Sequence, residues 1–396
     1  MKVLVFAPFF PPDPTGSSIF ASQQVKELEK LGHEVLVVTN LSDKNAPGVS
    51  PQAESRSLGG SANTLRLKST RVNLGRITWN YSIPTSFRGF LNKMVRLRLR
   101  NFDPDIVIIH STLFDLSLIA LLWSSKHRKP SVIVGHTALW HDGKAINFLL
   151  RVYGKLVLGP LIRVAKSKVV CVDKRTFENA VGLFSTPKNT TTIPVSLNLG
   201  TMKNGDAERV RKNLPFSEGP VVLSLGHVIP VLRDRLNLVR SLPLLVQRFP
   251  NLIVLIVGMV KDDRFLKLAD ELDVSKHLVV LGAVAHSEIR DYLALADIET
   301  HDLGGLGLGI TSVEAMDAGV PIVAWAVDDN YPSFSLRSYG DSGFINDGKP
   351  ETIAGMIIRI LSDPGYRSRV IESQHRLVAD IYSCEKVTAQ YLKLFS

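Results

Sequence analysis

Apolar residues follow two rhythms along this chain. Short unbroken runs alternate with longer segments in which apolar positions recur at helical spacing, from the first residues to the last. Lys2-Val3-Leu4-Val5-Phe6-Ala7 is the first run; a proline-rich loop containing Gly16 follows over 8–18, a helical pattern over 19–31 and a second apolar run over 34–39. A run without polar alternation suits a strand covered on both faces, so this opening predicts two parallel strands joined by a right-handed helical crossover. Further strands are predicted at 106–110, 131–136, 169–172, 191–194, 221–225, 252–258, 278–282, 298–300 and 322–324. Helical segments lie between most of them, and 364–394 predicts one or two more helices. The fold class is α/β, with parallel sheets and covering helices.

At 396 residues the chain exceeds what one core usually fills, so two domains of roughly 200 residues are expected. The polar stretch 196–219 is the expected hinge between them, and 41–75, rich in Ser, Asn, Gly and basic residues, reads as a long surface loop. Two cysteines far apart, Cys171 and Cys384, with no signal-peptide pattern, point to a reducing cytoplasm. The apolar stretch 106–123 is interrupted by His110, Ser111, Asp115 and Ser117, so it is not expected to span a bilayer.

Charge separates the two halves. Residues 1–200 hold 26 Lys+Arg against 12 Asp+Glu, whereas 201–396 hold 21 against 25. Within the basic half, 87–100 interleaves Arg88, Lys93, Arg96, Arg98 and Arg100 with apolar residues, and 148–168 repeats the pattern with Arg151, Lys155, Arg163, Lys166 and Lys168. Such segments fit helices lying on an anionic membrane surface, as at the inner face of the cell membrane. A solvated basic helix packed by its apolar side accounts for the same pattern. No nucleic-acid motif accompanies the charge, and no nucleic-acid partner is expected.

The chemistry concentrates in 304–321, Gly-Gly-Leu-Gly-Leu-Gly-Ile-Thr-Ser-Val-Glu-Ala-Met-Asp-Ala-Gly-Val-Pro. Glycines let a backbone approach a ligand closely, and the N–H groups at a helix start favour an anion. Gly319 and Pro321 stop the helix, and Glu314 has two acceptor oxygens suited to a vicinal diol such as that of ribose. A purely structural strand-to-helix turn explains the glycines equally well when they are taken alone.

Other fragments, in order, resemble the retaining GT-B glycosyltransferases, of the glycosyl transferases group 1 and glycosyltransferase family 4 type. They are Phe9-Phe10-Pro11-Pro12 with Gly16, Leu31-Gly32-His33-Glu34-Val35, Ile193-Pro194, Leu225-Gly226-His227 through Arg233, Leu281-Gly282-Ala283-Val284, and Gly307-Leu308-Gly309 through Glu314-Ala315-Met316. The resemblance implies a GT-B fold: two facing Rossmann-like domains with an interdomain cleft. It implies an acceptor-binding domain over 1–200, completed by a C-terminal helix near 380–396, and a nucleotide-sugar-binding domain over 201–380. It implies that Arg233 pairs with a diphosphate, Glu314 holds the ribose, and Gly309, Ile310 and Thr311 offer amides to phosphate. By the same resemblance His227 is a second, pH-dependent diphosphate cation, Gly16 places an amide near acceptor or phosphate, and Gly282, Ala283 and Val284 form the base-binding turn. His136 is expected beside the reacting sugar, with strand capping or core packing as its ordinary alternative.

The implied function is a metal-independent transfer of a hexose, with retention, from a UDP- or GDP-sugar to a glycan or lipid-linked acceptor. No cofactor is implied. Asp103-Pro104-Asp105 alone has Asp-x-Asp spacing, and it reads as a strand start. Three departures from the family pattern stand out: Leu306 where a glutamate is usual, His227 where an arginine is usual, and a loop at 231–233 one residue longer, which makes Arg235 a competitor of Arg233. They motivate an alternative, a catalytically weakened GT-B module that binds nucleotide or polyanion as a scaffold or subunit. A sugar-nucleotide epimerase of the same shape is a third reading.

Overall fold

The computed structural model describes the chain except residues 14, 42–62, 74, 76–82, 142, 215–217, 231–232, 301, 306, 332–333 and 396, and the side chain of 329. Two compact units result: 1–196 with 384–396, and 197–383.

The first unit is built on a seven-stranded sheet. Its strands are β1 (Lys2–Ala7), β2 (Glu34–Asn40), β3 (Thr64–Leu67), β6 (Ile106–His110), β7 (Ser131–Gly135), β8 (Lys168–Cys171) and β9 (Thr190–Thr192), all parallel, in the order β3-β2-β1-β6-β7-β8-β9. A short antiparallel pair, β4 (Thr70–Val72) with β5 (Ile83–Thr85), lies apart from it. Val3 to Ala7 are fully buried, as expected of a strand covered by helices on both faces. Leu4, Phe6, Val107, Ile109, Ile133 and Val169 anchor one continuous core. The segment 41–75, expected as a loop, instead supplies β3 and β4, with 42–62 outside the described residues. In Thr64–Leu67 the leucines at 65 and 67 alternate with polar residues, and Leu67 is buried in the core.

The second unit holds β10 (Val221–Leu225), β11 (Ile253–Val257), β12 (Leu278–Gly282) and β13 (Ile298–Glu299), parallel, in the order β12-β11-β10-β13. An isolated parallel bridge from Glu299 to Ile322 leads on to the pair β14 (Ala324–Trp325) and β15 (Phe344–Ile345). Its core is separate, centred on Leu238, Val254, Ile256, Phe265, Ile353 and Ile357. The chain leaves this unit by the Pro364–Leu377 helix, and the Cys384–Leu392 helix packs back on the Gly16–Lys30 helix of the first.

In both sheets the strand order reverses beside the first strand: between β1 and β6, and between β10 and β13. In open parallel sheets, ligands sit beyond the carboxyl ends of the strands at such a reversal.

Candidate functional site

At the reversal in the second unit, Leu225 ends β10 and Gly226 turns the chain with φ +95°. Beyond β13 lies Asp302, a buried carboxylate. Its Oδ1 accepts from Arg233 Nε at 3.1 Å, and its Oδ2 accepts from the Gly309 N–H at 2.7 Å and the Ser312 hydroxyl at 2.8 Å. One side chain thereby fastens the loop after β10, the loop after β13 and the start of the Ile310–Ala318 helix.

This arrangement reassigns Gly309. Its N–H was expected to face phosphate, but it is donated to the Asp302 carboxylate, which also holds the Ser312 hydroxyl in the first turn. Ile310 and Thr311 stand in the first turn of the helix. The loop before it needs glycine at 307, where φ is +88° and a β-carbon would fall 2.9 Å from the Tyr331 hydroxyl. That hydroxyl accepts the Leu308 N–H. Leu306, and residue 231 of the lengthened loop, lie outside the described residues.

Two further expectations change. Arg235 is buried and turned inward, donating to the carbonyls of Leu225 and Gly226 at 3.0 Å and of Arg233 at 3.1 Å. It holds the loop that carries Arg233, while the Arg233 side chain stays about one-third exposed. His227, expected as a cation, has its pKa pushed down to about 4, first by burial and then by Arg233, Lys261 and Arg235. Its Nδ1 accepts the Met259 N–H at 3.1 Å, so the ring is neutral near pH 7 with its proton on Nε2.

Glu314 lies one turn into the same helix and is fully buried. Its Oε1 is 2.7 Å from His286 Nε2, and its Oε2 is buried without a hydrogen-bond partner among the described residues. His286 follows the turn formed by Gly282, Ala283 and Val284, so this contact joins the expected base-binding turn to the expected ribose carboxylate. Gly282 has φ +72°, and its carbonyl accepts the Gly258 N–H at 2.8 Å. A pocket of about 160 Å³ opens beside Arg233, lined also by Asn237, Arg240, Thr300, Gly304 and Trp325.

In the first unit, His136 follows β7 and His110 ends β6, the strand that flanks the reversal. The rings stack with centroids 5.3 Å apart, and His110 Nδ1 lies 3.1 Å from His136 Nε2. Phe20 meets both edge-on. Gly16 opens the Gly16–Lys30 helix, where Thr15 caps the Ser18 N–H at 3.2 Å. Asp103 and Asp105 are structural: the first pairs with Lys129 at 2.7 Å, and the second accepts the Lys2 N–H at 2.7 Å.

Sequence reasoning singled out Arg233, Glu314 and His136 as candidates and did not single out Asp302, His286 or His110. Asp302 and His286 carry no local motif, and their roles arise from contacts between elements distant in the chain. For His110 the available signal was its place at a strand end next to the reversal.

Two family descriptions match this chain: Glycosyltransferase Family 4 over 14–199 and Glycosyl transferases group 1 over 206–376. Together with the two Rossmann-like units they show that the chain belongs to the glycosyltransferases of GT-B fold. Among curated relatives, a phosphatidyl-myo-inositol mannosyltransferase of Mycolicibacterium smegmatis is 33% identical over 185 residues, which is 45% of each chain. The match thus spans less than half of that relative. An alpha-monoglucosyldiacylglycerol synthase of Acholeplasma laidlawii is 25% identical over 377 residues, 92% of this chain and 89% of the relative. Among solved structures, Anabaena Alr3699/HepE in complex with UDP and glucose has a TM-score of 0.71 at 15% identity, covering 100% of this chain and 99% of the other. Sucrose-phosphate synthase from Thermosynechococcus elongatus has a TM-score of 0.68 at 17% identity, covering 100% and 98%.

Proposed function

We propose that this protein transfers a hexose from a UDP- or GDP-sugar to a glycan or lipid-linked acceptor, with retention of anomeric configuration and without a metal. The observation that carries the reading is the tie that Asp302 makes between Arg233 and the start of the Ile310–Ala318 helix, the helix that also carries Glu314. The leaving nucleoside diphosphate gains negative charge as the glycosidic bond breaks. Arg233 and the Ile310 and Thr311 N–H groups meet that charge, and because they are fixed in advance they favour the transition state. Glu314 Oε2 accepts from a ribose hydroxyl a few ångströms further along the helix, and the 282–284 turn receives the base. No side chain stands out as a nucleophile, so the reaction runs as a front-face displacement in which the departing phosphate takes the proton of the acceptor hydroxyl.

A lipid-linked acceptor is supported by the two relatives, whose names specify a phosphatidyl-myo-inositol and a monoglucosyldiacylglycerol. It is supported also by the surface of the first unit. The Lys93–Phe102 helix buries Val95 and Leu99 while Met94 is 69% and Leu97 48% exposed. Along 144–165, Phe148, Leu149, Leu156 and Val164 are each more than 60% exposed among Arg151, Lys155 and Arg163. Among the described residues this is the one helix long and apolar enough to cross a membrane, but Leu158, Ile162 and Ala165 are built into the core of the first unit. It lies along a membrane surface in this reading, with the protein cytoplasmic and peripheral at the inner face.

The test is turnover by purified protein of a panel of UDP- and GDP-sugars, with lipid and glycan acceptors and a chelator present, and with product configuration read by NMR. Formation of an α-linked product from an α-linked donor is the expected result. Nucleotide binding with no turnover on any donor would replace this reading with a scaffold role.

A further inference from the structure

His110 and His136 share one hydrogen bond, and the surroundings of His110 decide which ring donates. His110 is buried, and its far nitrogen, Nε2, has no hydrogen-bond partner among the described residues. If His136 were the donor, His110 would carry its own proton on that buried Nε2 and leave an N–H unpaired. Orphaned buried donors are the rarer and costlier defect, whereas an under-used acceptor lone pair is better tolerated. The proton therefore sits on His110 Nδ1 and is donated to His136 Nε2. In neutral His136 the remaining proton is then on Nδ1, which is not among the buried unpaired atoms. Burial keeps both rings from charging: the pKa of His136 is lowered to about 4, and that of His110 falls well below its ordinary value, further depressed by His136. Phe20, set edge-on to both rings at 5.6 and 5.4 Å, walls the pair on one side.

We propose that His110 is a positioning residue that locks His136 as a neutral Nδ1–H donor, so that His136 acts on the substrate by giving a hydrogen bond to a sugar oxygen and not by accepting a proton at Nε2. The kinetic consequence rests on the transferase reading above, whereas the tautomer does not. Once the lock is removed, His136 can present either a donor or a bare acceptor at Nδ1, and only the first suits a sugar oxygen that needs a donor. The effect falls on the bound state that reacts and not on the nucleotide.

The experiment uses ¹⁵N-histidine-labelled full-length protein at neutral pH, together with steady-state kinetics. In the wild type, His136 should show a protonated Nδ1 and an unprotonated Nε2. His110→Asn, whose side-chain amide reaches the place of Nδ1–H, should keep that signature and most of kcat. His110→Leu should give mixed His136 tautomers and lower kcat roughly tenfold with donor KM little changed, the size expected for one neutral hydrogen bond. Thermal melts of both variants establish that they fold. A wild-type His136 protonated on Nε2 would overturn the proposal, as would His110→Leu leaving tautomer and kcat unchanged. Should the wild type turn over no donor, the transferase reading fails, and the tautomer measurement still decides what His110 does.

Discussion

The two oxygens of Asp302 divide the donors that reach them: Arg233 on one, the Gly309 N–H and the Ser312 hydroxyl on the other. An amide in its place has one acceptor oxygen and brings an N–H₂ up to a guanidinium or to another donor. Asp302→Asn should therefore release Arg233, weaken nucleoside diphosphate binding by at least tenfold and lower stability by about 1–3 kcal/mol. Calorimetric titration and chemical denaturation check both, and unaltered affinity would show that Arg233 does not depend on this tether. The histidines make a second residue-scale prediction. The folded-state pKa values of His136 and His227 are lowered from 6.5 to about 4, so their neutral forms contribute stability that is complete above the unfolded value and lost as pH falls through the folded one. Between pH 6.5 and 5, above most carboxylate titrations, melting temperature should already decline, and His227→Gln should flatten that decline. A melting temperature constant across this window would contradict the burial assigned to both rings. At this scale the sequence pointed to Arg233, Glu314 and the glycine loop as candidates because residue type and spacing suggest their chemistry. It could not show Asp302 or His286, because their partners lie in other elements.

Among the elements, unbroken apolar strands were the most legible, since burial on both faces leaves a signature that needs no knowledge of the neighbours: β1, β6, β10 and β11 stand within a residue of the expected bounds. Short edge elements were less so. β3 is four residues long inside a polar segment, and its alternation of Leu65 and Leu67 was outweighed by the composition around it. The loop before the Ile310–Ala318 helix yields an element-scale prediction. Alanine at 307 would face both a positive φ and the Tyr331 hydroxyl, so Gly307→Ala should shift the loop, displace the Leu308 contact and weaken nucleotide binding, whereas Gly355→Ala, where a β-carbon meets open space, should not. Comparable affinity for these two variants would remove the loop from the site. The basic helices yield another. Replacing Arg88, Lys93, Arg96, Arg98 and Arg100 together by Gln should abolish most salt-sensitive binding to anionic vesicles, each charge near the surface contributing about 1 kcal/mol. Equal vesicle partitioning of wild type and variant would leave Lys93–Phe102 as a solvated basic helix.

Over the whole molecule, charge and chemistry divide in the same way as the cores. The unit with the excess of basic residues carries the exposed apolar helices and the histidine pair, and the unit with the slight acidic excess carries Arg233, Asp302 and Glu314. The boundary at 196–197 falls at the start of the polar stretch that reads as a hinge, and the last helix belongs to the first unit through contacts no local pattern announces. The proposal as a whole depends on the second unit gripping a pyrophosphate with Arg233 and first-turn amides while Glu314 holds the adjoining ribose. Isothermal titration of UDP, GDP and ADP into wild type, Arg233→Ala and Glu314→Ala tests this most directly. The account predicts that UDP or GDP binds the wild type and that each substitution weakens it by about 1.5–3 kcal/mol, the loss of one charged hydrogen bond. Failure of all three nucleotides to bind, or affinity unchanged from wild type in both variants, would contradict it.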